Sequence, residues 1–304
     1  MRVLVLGSAA GGGFPQWNCN CRQCQGVRKG ALNAHPRTQS SIAISADDQH
    51  WLLVNASPDL RQQLQANPAL WPSDGVRHTP LCGVLLTDAQ IDHVSGLLML
   101  REGLPLDLHC TPSVQEELTQ SFPLLNTLSH WNGGFNVKPL PESADQIFCL
   151  PALPDLLWRV VPLPSNAPPF SPRRDAPRPG DNIGLFVRDG RSKRSLFYAP
   201  GLGKITPLVQ TFLEHADCLL VDGTCWSDDE MECVGSSKKA RDMGHLPLTG
   251  PRGMIDTLST LGGKRKILIH INNTNPILDE DSPQRRLLNS LEIEVAQDGM
   301  EILL

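Results

Sequence analysis

A single tyrosine, in a chain whose aromatic residues total 5%, leaves too few rings for a platform that stacks the bases of a single strand. Positive charge is also scarce. The 27 Lys and Arg stand against 32 Asp and Glu, a net charge of −5, so there is no basic footprint for nucleic acid. No apolar run approaches the roughly 18 residues of a membrane span. The chain opens on Val3-Leu4-Val5-Leu6, a strand pattern without the basic and long apolar regions of a secretory signal, so the cytoplasm is the expected compartment. Nine cysteines, an odd number, argue there for metal ligands or buried thiols rather than a disulfide frame. Neither a fixed repeat nor a clean linker interrupts the 304 residues, which predicts one domain, 1–304, with 40% hydrophobic residues to fill it.

What is present is a series of short strands that end in polar residues. The first runs into Gly7-Ser8-Ala9-Ala10-Gly11-Gly12-Gly13, which lacks the Lys-Ser/Thr of a P-loop and reads as a turn needing positive φ or close backbone approach. Ser40–Ser45 and Trp51–Val54 read as a hairpin, followed by a helix that Ser57 caps with Pro58 at its first position. The apolar run Gly83–Leu86 leads into Thr87-Asp88-Ala89-Gln90-Ile91-Asp92-His93 and a helical pattern over 94–101. Thr111 with Pro112 caps a helix through Leu118, and residues 119–155 read as irregular before a strand at 156–161. The proline-dense stretch 162–179 reads as an active-site flap whose Arg173, Arg174 and Arg178 are available to an anionic substrate. Two further strands form a hairpin over 183–198. Buried strands then end at Asp222 and at His270, with helices expected over 205–213, 248–261 and 282–291.

Three groups carry chemistry. Cys19, Cys21 and Cys24, in C-x-C-x-x-C spacing, put three thiolates within reach of one cation, which suits structural zinc with a fourth ligand from elsewhere; free or redox-active thiols are the alternatives. The other six cysteines sit mostly among apolar residues and read as core thiols. Asp92, His93 and His270 supply one carboxylate and two imidazoles at strand ends, a set for Fe(II), Mn or Zn with open positions; locally, Asp92 reads equally well as a helix cap beside a surface histidine. Asp222 with His245, in Gly244-His245, pairs a carboxylate with an imidazole for proton transfer, against the alternative of a histidine making a local hydrogen bond.

Taken together, G-S-A-A-G-G-G-F-P-Q-W-N-C-N-C at 7–21, N-A-S-P-D-L-R at 55–61, T-D-A-Q-I-D-H at 87–93, M-G-H at 243–245 and H-I-N-N-T-N-P at 270–276 resemble the pyrroloquinoline quinone (PQQ) biosynthesis protein B family of the metallo-β-lactamase superfamily, across essentially the whole chain. The resemblance implies an αββα sandwich of two mixed sheets with flanking helices. Set against the superfamily pattern, the first two motif histidines fall on Asp88 and Gln90, an early motif Asp on Asn55, the middle His near Ser165 or Asn166, and the bridging Asp at Gly201. One metal position has thus lost its ligands and the other keeps Asp92, His93 and His270, so one catalytic metal is expected rather than two. By the same resemblance Asp222 and His245 flank that metal, with Asp222 either relaying protons or ligating directly. The fourth zinc ligand of related proteins falls on Asn273, a poor zinc donor. The implied role is a step in PQQ synthesis: iron-dependent hydroxylation, with O2, of the tyrosine of a Glu–Tyr unit derived from a precursor peptide. Hydrolysis by a single metal, and non-enzymatic carriage of PQQ or its precursor, are the rivals. Other proteins of that synthesis and a second copy of the chain are the candidate partners.

Overall fold

Alternation decides the layers. In β1 (Arg2–Gly7), Val3 and Val5 point to one side and Leu4 and Leu6 to the other, and all four are buried. A strand apolar on both faces must lie between two cores. The computed structural model, which describes all 304 residues, has that architecture: two seven-stranded sheets packed face to face, each backed by helices.

The first sheet contains β1, the hairpin β2 (Ser41–Ser45) and β3 (Trp51–Val54), then β4 (Leu81–Leu85), β5 (Asp107–Cys110) and β6 (Asn136–Pro139), which continue parallel to β3. The second contains β7 (Phe148–Leu150), β8 (Leu153–Pro162), β9 (Ile183–Asp189) and β10 (Ser195–Ala199), all antiparallel, then β11 (Cys218–Asp222), β12 (Arg265–Ile269) and β13 (Ile293–Val295), which run parallel to β10. The last strand, β14 (Glu301–Leu303), returns to pair antiparallel with β1 at the edge of the first sheet.

Between the sheets lie Val3, Val5, Ile42, Ile44, Trp158 and Tyr198 with their neighbours. Helices α1 (Arg22–Arg28), α6 (Pro207–His215), α7 (Met254–Thr260) and α8 (Pro283–Ser290) cover the second sheet. The first sheet is covered by α2 (Leu60–Ala66), α3 (Ile91–Val94), α4 (Pro112–Glu116) and α5 (Leu124–Leu128). Each fully buried Leu, Ile or Val contributes about 1.5–3 kcal/mol.

Several sequence expectations change. Residues 119–155 are not irregular: they hold α5, β6, β7 and the start of β8, β6 being a polar strand that pairs with β5. The helix expected over 248–261 begins only at Met254, because Gly250 and Arg252 adopt positive φ and make a turn around Pro251. After α3 the helical pattern winds as a 3₁₀ segment over Ser95–Gly103. Helix α2 starts at Leu60, and the Ser57 hydroxyl accepts from the Asp59 amide rather than capping a helix with Pro58 inside it. The cap read at Thr111 holds, and Ser282, where a helix was expected to start, caps α8 in the same way, each accepting a backbone N–H three residues on. Among the scattered cysteines Cys110, Cys218 and Cys225 are buried and Cys82 is half-buried. Cys149 and Cys233 are exposed, so these two are not core thiols.

The fold brings the carboxyl ends of β3, β4, β10, β11 and β12 to one edge. Isolated bridges of Ala9 with Ile271 and of Asp88 with Asn182 tie the two sheets together there.

Candidate metal and active site

The turn after β4 is built by Asp88. Its Oδ1 accepts from the Gln90 amide at 2.9 Å, and α3 then starts at Ile91 with Gln90 as its cap. Asp92 therefore lies within the first helical turn and is not the cap, and His93 is buried rather than on the surface. The His93 Nδ1 lies 2.8 Å from both Asp88 carboxylate oxygens, which fixes the ring. That leaves His93 Nε2 buried with no hydrogen-bond partner, the Asp92 Oδ2 lying 3.9 Å away. A buried, unpaired ring nitrogen is costly unless something absent from the chain fills it.

Across the cleft, His270 follows β12 in the left-handed region, with φ of +60°. A non-glycine residue held there costs on the order of 1 kcal/mol and marks a site that the surroundings enforce. The Thr224 hydroxyl lies 2.6 Å from Asp222 Oδ1 and 2.9 Å from His270 Nδ1. It has one proton, which goes to the carboxylate, so it accepts from His270 Nδ1–H and frees the other nitrogen. His270 Nε2 then faces Asp92 Oδ2 at 3.4 Å. The donor atoms of Asp92, His93 and His270 all lie within 4.8 Å of one another. Gly11 lets the N-terminal loop close over this set: a Cβ there would come 3.2 Å from Asp92 Oδ2.

Asp222, His245 and His270 form a second compact group. Each oxygen of the fully buried Asp222 is doubly occupied. Oδ1 takes the Thr224 amide and hydroxyl, and Oδ2 takes the Leu202 amide at 2.8 Å and His245 Nδ1 at 2.6 Å. The His245 ring stacks on His270 with centroids 5.1 Å apart. Gly244, at φ +89°, delivers His245; a Cβ there would meet Ser165 Oγ at 2.5 Å.

Electrostatics follow this pairing. Burial disfavours the His93 cation, but Asp88 and Asp92 outweigh it and raise its pKa to about 9. Burial likewise opposes ionisation of Asp92, yet His93 and His270 hold its pKa well below the usual carboxylate range. For Asp222, too, burial is outweighed by His245, and the carboxyl stays ionised; His245 is raised in turn by Asp222 against its own burial.

The site opens on a cavity of about 280 Å³. Its wall includes Asp88, Gln90, Ser165 and Gly201, four positions where superfamily metal ligands were expected to be missing. None offers an imidazole: Asp88 is engaged by His93, Gln90 donates to the Asn166 carbonyl, and Ser165 donates to the Gly244 carbonyl at 2.8 Å. Asn55, the fifth such position, is fully buried below the cavity and bonded to Thr87. The flap of 162–179 does border the cavity, through Ser165, Pro169 and Arg174, but of its arginines only Arg174 lines it. Arg173 is held by Glu116, Glu117 and Asp181, and Arg178 by Glu116, so these two brace the flap instead of meeting a ligand. Lys238, from the loop before His245, is the second cation in the wall. Sequence reasoning missed Asp88 as the partner of His93, and missed Thr224. Asp-Gly-Thr just past a buried strand was the available signal for the latter.

The thiols of Cys19, Cys21 and Cys24 also converge within 4.8 Å. Cys21 caps α1 and its sulfur accepts from the Cys24 amide. The side-chain amide of Asn273 faces all three, with Nδ2 at 3.1 Å from Cys19 Sγ, 3.8 Å from Cys21 Sγ and 3.3 Å from Cys24 Sγ. Burial pushes the Cys24 thiol up to about 11, so a thiolate there calls for a cation.

Comparison with known proteins gives the family and agrees with the fold. Residues 50–271 match the family model described as a beta-lactamase superfamily domain. The coenzyme PQQ synthesis protein B of Stutzerimonas stutzeri is 58% identical over 99% of both chains, and that of Klebsiella pneumoniae is 53% identical over 100% of this chain and 98% of its own. A crystal structure of zinc-bound PqqB from Methylobacterium extorquens superposes with a TM-score of 0.90 at 37% identity, covering all of both chains. A diphosphatase of the PhnP family shares the fold, with a TM-score of 0.67 at 17% identity over 100% of this chain and 97% of its own. By identity, coverage and fold, the chain belongs to the coenzyme PQQ synthesis protein B family of the beta-lactamase superfamily.

Proposed function

We propose that Asp92, His93 and His270 hold one divalent metal, iron(II) for turnover, and that the chain hydroxylates the tyrosine ring of a Glu–Tyr-derived precursor in PQQ synthesis, one atom of O2 entering the ring and the other leaving as water with two electrons and two protons from an external two-electron reductant. One observation carries this reading. A carboxylate and two imidazoles face a common point, one of them through a buried nitrogen with no hydrogen-bond partner, while the positions that would complete a second metal site offer no further imidazole. One carboxylate and two histidines leave iron(II) open positions for O2 and substrate. Hydrolysis with a metal clamp on both reacting oxygens would need a second ligand set, and the one candidate, Asp222 with His245 and the shared His270, has its carboxylate taken by four hydrogen bonds.

The surrounding residues support a proton-handling role beside the metal. Asp222 accepts four hydrogen bonds from the chain, so we assign it to orienting His245 rather than to ligation. With Nδ1 committed to Asp222, His245 presents Nε2 to take the phenol proton as the ring is oxidised. Thr224 keeps His270 in the tautomer that turns Nε2 toward Asp92. Arg174 and Lys238 are placed to hold substrate carboxylates. Cys19, Cys21 and Cys24 are assigned to structural zinc, with Asn273 completing the wall around it. A zinc-bound relative supports a metal-dependent protein.

The test is an aerobic assay of iron-loaded protein with a Glu–Tyr peptide and ascorbate as the two-electron reductant. Oxygen uptake with a catechol or quinone product is expected. Peptide cleavage without oxygen uptake would replace the reading with a hydrolase, and tight binding without turnover would replace it with a carrier.

A further inference from the structure

The helical layer over the second sheet stops short. In β8 and β9 the residues Trp158, Val160, Leu185 and Val187 enter the core between the sheets, so Leu157, Arg159, Phe186 and Arg188 face outward. Helix α6 covers this face only as far as Phe212, which packs on Phe186 with ring centroids 5.3 Å apart. Beyond it a groove of about 510 Å³ runs over the two strands, sharing no residue with the metal-site cavity and larger than it. Leu157 remains 37% exposed in its floor and Ile147 54% exposed at its side.

The charges of the groove are unbalanced. Arg159 reaches only the Ala144 carbonyl, at 3.2 Å, and Lys193 only the Gly190 carbonyl. Arg188 is exposed, and neither arginine has a carboxylate partner, although the chain holds 32 acidic residues and a net charge of −5. The one carboxylate in the wall, Asp217, is already taken by Arg194 and by the amide and hydroxyl of Ser195. The pattern is also periodic. Leu157 stands opposite Arg188 and Arg159 opposite Phe186, so each strand offers one apolar and one cationic group two residues apart. An extended chain laid on the sheet presents side chains at that same spacing, about 6.6 Å.

We propose that this groove docks an acidic, extended peptide segment of a partner protein. An apolar side chain of the segment rests on Leu157 and Phe186, and carboxylates two residues away pair with Arg159 and Arg188. Such a segment answers both the exposed apolar floor and the unpaired guanidinium groups, and its contacts owe nothing to the metal site.

The full-length protein and a fluorescein-labelled probe peptide, Glu-Thr-Phe-Thr-Glu, test this by fluorescence anisotropy. Saturable binding that weakens with salt is expected. Arg188→Glu should weaken it by about tenfold or more, and so should a probe with Lys for Glu, because each sets like charges together. Ile147→Ser, an exposed change that leaves the fold intact, should weaken it by a smaller factor. Absence of binding, or binding indifferent to both variants, overturns the proposal. So does a dimer in solution that Arg188→Glu dissociates, since a second copy of the chain would then fill the groove.

Discussion

The thiol cluster and the histidine–carboxylate centre are both three-donor sets, and they are joined by only four residues of chain, His270 to Asn273. They are built in opposite ways. The three sulfurs come from one six-residue stretch, and the Asn273 amide faces the space between them. Asp92, His93 and His270 come from the ends of β4 and β12 in different sheets, are oriented by Asp88 and Thr224, and face a cavity of about 280 Å³. A set closed within one stretch of chain, even one bordering a recess as Cys19 and Cys21 do, suits a metal that holds structure, and a set assembled across the cleft and open to the cavity suits one that meets substrate. The comparison separates the two by what each should do when broken: the first should cost fold, the second chemistry.

The largest effect should come from breaking the open set. Asp92→Ala and His270→Ala are each expected to remove the metal of that centre and the product-forming activity with it, while the metal held by the thiols remains. Anomalous scattering or elemental analysis of each variant checks this. A variant that retains both metals would show that the ligand set is misassigned. Breaking the closed set should act on stability instead. Cys24→Ser, at a fully buried position, is expected to release the thiol-bound metal and to lower stability by several kcal/mol, since the binding energy of a structural metal is folding energy. Thermal unfolding with and without chelator measures it.

How far each centre could be read from sequence follows from the same contrast. The thiols are neighbours in the chain, so spacing alone exposed them. Asp92 and His270 are 178 positions apart, and what brought them into view was that each follows an apolar run ending in polar residues. The orienting layer was less visible. Asp88 read as a lost ligand, because nothing local says that its carboxylate turns back onto His93. The same limit governs the fold. β1, β11 and β12 announced themselves through apolar runs, whereas β6, Asn-Val-Lys-Pro, is a strand only because β5 lies beside it. Arg173, Arg174 and Arg178 are alike in sequence, and only the positions of Glu116, Glu117 and Asp181 decide which one faces the cavity.

A smaller effect should sharpen the contrast within the open set. Asp88→Asn keeps the shape but weakens the partner of His93 Nδ1 and loosens the ring. Metal affinity is expected to fall by about 10–100-fold while the fold stays intact. Titration with cobalt(II), followed by its absorption bands, reads the affinity without any turnover. Unchanged affinity would mean that Asp88 serves the turn, through the Gln90 amide, and not the metal.

The smallest effect lies in the wall between the two centres. Glu230 opens a 3₁₀ turn, Glu230–Val234, and the next residue, Met231, lines both the catalytic cavity and the recess beside Cys19 and Cys21. The Glu230 carboxylate accepts from the Trp226 amide and the Thr274 hydroxyl. Burial nevertheless outweighs those bonds and raises its pKa to about 7, from 4.5. A carboxyl whose pKa is higher in the folded state binds its proton more tightly there, so the folded protein is favoured while the group is protonated. That advantage is present below the unfolded value and declines as pH rises from about 4.5 through about 7. Glu230→Gln keeps an oxygen for the Trp226 amide, turns its NH2 toward the Thr274 hydroxyl, which can accept from it, and cannot ionise. Relative to the parent chain it should therefore gain stability with pH, by on the order of 1 kcal/mol between about pH 5.5 and about pH 8. Melting curves of both proteins at the two pH values measure the difference. If the gap between them does not widen with pH, the carboxylate is already ionised at low pH, and the wall tolerates a buried charge that its surroundings give no reason to expect.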